Sequence, residues 1–155
     1  RAAGARLTPV EPARPLSRHH RNDTMSRYVV RANEGKPYHP ANHTGTSNRR
    51  LISRDTVGAR QMEVLLGVIE RDHGALPHAH PGIEQAGYVL AGRAEVEIGE
   101  GAEREVLTIG PGDACFFPAD VMHRLRVIGD EPLRILVIYS PPYEESPDRV
   151  IRKSP

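Results

Sequence analysis

Arg93-Ala94-Glu95-Val96-Glu97-Ile98, closed by Gly99-Glu100-Gly101, is the stretch that decides the fold. Charged residues take one parity and small apolar residues the other, the period-two pattern of a strand with one wet face and one dry face. The glycines then supply a hairpin turn. Working upstream, Ala91-Gly92 marks a turn, 85–90 a strand, Pro81-Gly82 another turn and 76–80 another strand. Residues 60–70 carry Met62, Val64, Leu66 and Val68 on one parity but Leu65 and Ile69 on the other, so this strand is expected to be covered on both faces. Downstream, Glu105–Ile109, Ala114–Phe117, 122–128 and Leu133–Ser140 alternate with turns at Gly110-Pro111-Gly112-Asp113, Pro118 and Gly129-Asp130. Roughly nine or ten short strands with turn chemistry between them predict an all-β domain, an antiparallel sandwich or jelly-roll barrel. The polar stretch 33–50, with Gly35, Pro37, Pro40 and Gly45, reads as a long loop.

Composition supports the class. In 155 residues there are 14 Gly and 14 Pro with 38% apolar residues, a balance that favours strands and turns over long helices in one domain. The net charge of +1 hides an asymmetry. Residues 1–24 hold five arginines against Glu11 and Asp23, which leaves 16 basic and 18 acidic residues in the rest. That mildly acidic body predicts no nucleic-acid partner. Residues 1–24 read as a disordered basic extension, 25–145 as a single domain and 146–155 as an irregular tail. No apolar run approaches the ~18 residues of a membrane span, so no membrane partner is expected. The single cysteine, Cys115, sits in an apolar run and reads as a buried reduced thiol, which fits a cytoplasmic protein.

The chemistry lies in His78-Ala79-His80, in Gln85 and in His123 beyond the Pro118-Ala119-Asp120 turn. On a strand His78 and His80 share a face, which makes a two-point chelate. Three imidazoles and one amide oxygen suit a divalent transition metal, Mn, Fe, Ni or Zn, and disfavour calcium. Glu84 is a rival for the fourth position, but it shares its parity with Ala86 and Tyr88, away from Gln85. His39 and His43 read as solvated loop residues, with a lowered His43 over the pocket as the alternative. Arg124 and Arg126 flank His123 and are expected to point outward. Tyr139 reads as a core residue.

These residues resemble the motifs of the cupin superfamily. The first motif is a glycine, five residues, His-any-His, three or four residues, a glutamate, six residues and a glycine. His78, His80 and Gly92 match it, Gln85 stands for the glutamate, as in certain uronate-processing cupins, and Asp72 stands for the first glycine. The second is a glycine, five residues, Pro-any-Gly, two residues, a histidine, three residues and an asparagine. Gly112, Pro118 and His123 match it, while Asp120 and Val127 depart. The resemblance covers about residues 60–140 and implies a single jelly-roll barrel with His78, His80, Gln85 and His123 as metal ligands. It also implies a homodimer, paired through an edge strand, with 28–31 as a candidate crossing segment.

Two functional classes follow. One is a metal-dependent enzyme on a small oxygen-rich substrate, of isomerase, lyase or dioxygenase type. The other is a non-catalytic module that binds or senses a small molecule. No helix-turn-helix pattern accompanies the barrel motifs, so a transcription factor is not expected, and a storage role is the least favoured reading.

Overall fold

A computed structural model describes residues 27–40, 43–143 and 151–152. The basic extension read at 1–24 and most of the 146–155 tail lie outside the described residues.

Ten strands are present among the described residues: β1 Lys36–Tyr38, β2 His43–Ile52, β3 Glu63–Ala79, β4 Glu84–Ala91, β5 Ala94–Ile98, β6 Glu105–Ile109, β7 Ala114–Phe117, β8 His123–Val127, β9 Leu133–Ser140 and β10 Ile151–Arg152. One helical turn, α1 Arg54–Val57, follows β2 and ends at Gly58 with φ 76°. Among the described residues no helix is long and apolar enough to cross a membrane.

β3 organises the barrel. Its first half, Glu63 to Ile69, pairs with β9, which pairs with β4 and then β7. Its second half, Gly74 to His78, pairs with β8, which pairs with β5 and then β6. One strand therefore belongs to both walls of an almost closed antiparallel jelly roll, and β2 runs along its other side. The crossover requires close backbone approach: a Cβ at Gly74 would lie 2.1 Å from the Leu125 carbonyl oxygen. Asp72, in the bend between the halves, takes φ 62°. Aspartate is among the few residues with a side chain that tolerate the left-handed region, so it serves where the family motif has glycine.

The core has two parts. Ile69, Val89, Val96, Phe117, Val127, Leu133 and Ile135 fill one end of the barrel. Tyr38, Leu65, Ile83, Tyr139 and Tyr143 fill the other, and Val137 packs against both. The inward parity of the 93–98 stretch is seen directly, since Ala94 and Val96 are fully buried.

Four local expectations are corrected. The stretch 33–50 is not a loop but β1 and most of β2; its polarity misled because β2 presents polar side chains to the barrel interior as well as to solvent. Segments 60–70 and 76–80 belong to one strand, Glu63–Ala79, in which Gly74 pairs with both Thr44 and Arg126. In the tail read as irregular, Ile151–Arg152 pairs with Ala79 and His78. The segment 28–31 forms no strand, and Tyr28 and Val29 are exposed.

Candidate metal centre

His78 closes β3, and the register sets it directly opposite His123 of β8. Opposed residues of an antiparallel pair bring their Cβ atoms to about 5 Å, and these two ring centroids are 4.4 Å apart. His80, two residues on, completes a triangle, its ring 4.8 Å from His78 and 5.3 Å from His123. One nitrogen from each imidazole lies within 4.8 Å of the others, and all three residues are buried. The spacing that the sequence read as a chelate is thus a physical cluster able to hold a metal ion.

Tautomers follow from the neighbours. The His78 Nδ1–H donates to the Leu76 carbonyl at 2.7 Å, and the His123 Nδ1–H donates to the Val121 carbonyl at 3.0 Å. A carbonyl only accepts, so each Nδ1 carries the proton and each Nε2 keeps its lone pair. His123 Nε2, both ring nitrogens of His80 and the Gln85 Oε1 are buried without a hydrogen-bond partner. Each such orphan costs about 1–3 kcal/mol unless something else satisfies it. An ion bound among them would satisfy several at once, so the donor set fits a divalent metal.

Electrostatics agree with neutral imidazoles. Burial first, and then the charges of His78 and His123, pull the His80 pKa from 6.5 to about 3, with the Gln85 side chain working weakly in the other direction. Burial, with His78 next, lowers His123 to about 4 and His43 to about 4. All three are unprotonated at pH 7.

Surrounding residues hold the rings in place. Phe117 stacks on His123 at 4.4 Å and 18°. His80 meets Tyr139 at 5.4 Å and Tyr143 at 4.8 Å, both edge-on. The turn after β3 is tied to the turn before β8: the Asp120 N–H donates to the His80 carbonyl at 3.2 Å, and the Gly82 N–H donates to Asp120 Oδ1 at 3.2 Å. Asp120 has φ 66° at the position where the second motif has glycine, so the aspartate keeps the backbone shape and adds a side-chain bond.

A small cavity of about 40 Å³ adjoins the cluster, lined by His78, Gln85 and His123 together with His43, Asn48 and Tyr139. Gln85 faces this cavity from β4 while Glu84 is exposed. Tyr139 is buried, as a core residue should be, yet it also borders the cavity. His43, expected in solvent with a place over the pocket as the alternative, borders the cavity, and it does so from β2 and not from a loop. Tyr143, beside Pro141-Pro142, gave no signal at all. A wider groove of about 710 Å³ lies beyond Tyr143, lined by Arg50, Arg54, Arg60 and Glu63 and by none of the three clustered imidazoles.

Away from the site, Arg124 and Arg126 form an ion-pair ladder with Glu95 and Glu97 on the outer face of β5 and β8, as their parity predicted. Cys115 is half-buried and burial raises its pKa, which suits a packing role.

Comparison with known proteins agrees with this geometry. The profile of the cupin domain matches residues 66–139. Protein SchB of Streptomyces halstedii is 30% identical over 109 residues, 70% of this chain and 75% of that protein. The polyketide synthase CurC of Streptomyces cyaneus is 29% identical over 117 residues, 76% of this chain and 73% of that protein. The solved structure of KdgF from a Halomonas species superimposes with a TM-score of 0.62 at 22% identity, over 78% of this chain and 97% of that one, a likeness of fold.

Proposed function

This chain belongs to the cupin family, and from that premise we propose that it is a metal-dependent enzyme acting on a small oxygen-rich molecule at a centre formed by His78, His80, His123 and Gln85. One observation carries the reading: three buried imidazoles place ligating nitrogens within 4.8 Å of one another. A divalent Mn, Fe, Ni or Zn ion held there supplies Lewis acidity, and iron a redox couple as well. The chain's own residues do the rest. His78 and His123 are oriented by their backbone carbonyls, Phe117 and Tyr143 keep the rings from turning, and the apolar wall excludes water. Four neutral donors leave the ion its full charge, which favours an anionic, oxygen-bearing substrate. The likeness to a protein named as a polyketide synthase supports a substrate rich in carbonyl and hydroxyl groups.

The small cavity favours one second reading, a non-catalytic module that holds a small ligand. Metal analysis and water exchange separate the two. Stoichiometric metal with a rapidly exchanging bound water, measured by proton relaxation of the Mn(II)-loaded protein, is expected for the enzyme. A metal-bearing protein with no exchangeable water would mark the passive module, and a protein that takes up no metal after loading would remove both. Gln85→Glu is expected to retain or tighten the metal, since it adds a charged oxygen at the same place; loss of metal in that variant would exclude Gln85 as a ligand.

The homodimer is also part of this proposal, through a different surface from the edge strand expected. Val64, Leu66, Leu136, Ile138, Ala86, Tyr88 and Phe116 lie in register across the outer face of β3, β9, β4 and β7. Tyr88 is 44% and Phe116 50% exposed. A second copy, applying the same patch about a two-fold axis, covers such a face. Light scattering should give twice the chain mass, and Phe116→Glu should halve it; a wild-type monomer would end the dimer reading.

A further inference from the structure

A second polar wall is added by β2 to the cavity beside the imidazole cluster. His43, Thr46 and Asn48 line it, facing Ile69, Leu125, Ile135 and Val137. Strict alternation would not put residues 43, 46 and 48 on one face, since 43 and 46 differ in parity. A bulge makes the difference. Register slips between Thr44 and Thr46, so that His43 pairs with Ala75, Thr46 with Ile69 and Asn48 with Gly67. The irregularity sets Gly45 of β2 opposite the four residues Glu70 to His73 of β3; Gly45 takes φ 57°, and a Cβ there would lie 2.5 Å from the His73 ring. Bulges of this kind re-aim a side chain. Here the side chain re-aimed is His43, whose ring comes to 5.8 Å from His78.

His43 does not join the cluster of mutually close ligand nitrogens, so it stands beside the centre and outside it. Its Nδ1 is buried with no hydrogen-bond partner. Space is also tight: about 40 Å³ holds roughly three water molecules, or a group the size of one carboxylate or one pair of vicinal oxygens. Building on the metal-centre reading, we propose that His43 is the residue that grips the oxygen atoms of the metal-bound ligand, and that the fragment entering the centre is a carboxylate or an enediol-sized oxygen pair. The Gly45 bulge exists in this account to turn His43 inward.

Oxalate, a small dianion with paired oxygens, is the probe. Co(II)-loaded wild-type protein is titrated with oxalate while the Co(II) absorption bands and the metal content are followed. His43→Ala is expected to keep its cobalt, within twofold in affinity, and to bind oxalate about tenfold or more weakly, the usual scale for losing a hydrogen bond to a charged group. His43→Gln, which restores a donor and preserves bulk, should recover part of the loss and guards against a folding defect in the alanine variant. Oxalate affinity within twofold of wild type in both variants would overturn the proposal, as would cobalt loss from His43→Gln or a wild-type spectrum indifferent to oxalate. Failure of wild-type protein to take up cobalt would overturn the metal-centre reading itself, and this proposal with it.

Discussion

His80→Ala is expected to empty the centre while leaving the barrel folded. Zinc bound by a full set of four protein ligands contributes about 10–16 kcal/mol, so one ligand accounts for roughly 3 kcal/mol, a loss on the order of a hundredfold in affinity. His80 is the informative choice because both of its ring nitrogens are buried without a partner. Removing the ring takes away two buried polar atoms as well as packing against Tyr139 and Tyr143. The metal-free protein should therefore lose little stability, the cavity term offset by relief of the orphan nitrogens. A purely structural histidine would behave in the opposite way, with the fold weakened and metal content unaffected. Elemental analysis after loading and gel filtration, beside a denaturant curve of the metal-free form, reads both quantities. Metal retained at the wild-type level in His80→Ala would exclude His80 as a ligand.

Much of this centre was visible in the residue order because strand alternation is a strong local rule. His78 and His80 had to share a face, and the Pro81-Gly82 turn signal fixed where their strand ended. His123 was legible for a different reason, as the family motif supplies its partner over a distance that periodicity cannot bridge. What stayed hidden depends on pairing between distant segments. β2 carries Thr44, Thr46, Asn48, Arg49 and Arg50, and its polarity looks like a loop until β3 is seen to satisfy its backbone. Its inward face is polar because it looks onto the site, so the hydrophobic alternation that reveals β5 is missing where function has replaced it. The Gly45 bulge compounds this by breaking parity at the very residue that matters. Tyr143 reaches His80 only through tertiary packing, and no local pattern announces such a contact.

The departures from the family motifs were legible as substitutions but not as equivalents. Asp72 and Asp120 look like lost glycines in the sequence. In the structure they are the two residues other than glycine with positive φ among those described, so the backbone demand persists and aspartate meets it. Asp120 also bonds Gly82, which links the turn that follows His80 to the turn that precedes His123. A change that seemed to weaken the motif instead ties its two halves together.

Acidification is expected to destabilise the metal-free protein steeply below pH 6.5. The folded pKa values of His80, His123 and His43 lie below the ordinary 6.5, at about 3, 4 and 4. Between those values and 6.5 the unfolded chain binds more protons than the folded one, so stability falls as pH falls. The contribution of each group is whole above 6.5 and is lost progressively down to about pH 4, and to about pH 3 for His80. At pH 5 an imidazole held at about 4 accounts for roughly 2 kcal/mol, and the three contributions add, because at that pH the folded rings stay neutral while those of the unfolded chain are protonated. Set against a typical total of about 5–15 kcal/mol, this is a large share. Metal binding and proton binding compete for the same nitrogens, so the loaded protein should resist acid until the ion leaves and then follow the metal-free curve. Urea titrations at pH 7.5 and 5.0, with and without Mn(II), test the sign and the competition together. His80→Ala should flatten the pH dependence by removing one of the three groups. Equal unfolding free energies at the two pH values in the metal-free wild type would mean that these imidazoles are not held neutral by burial.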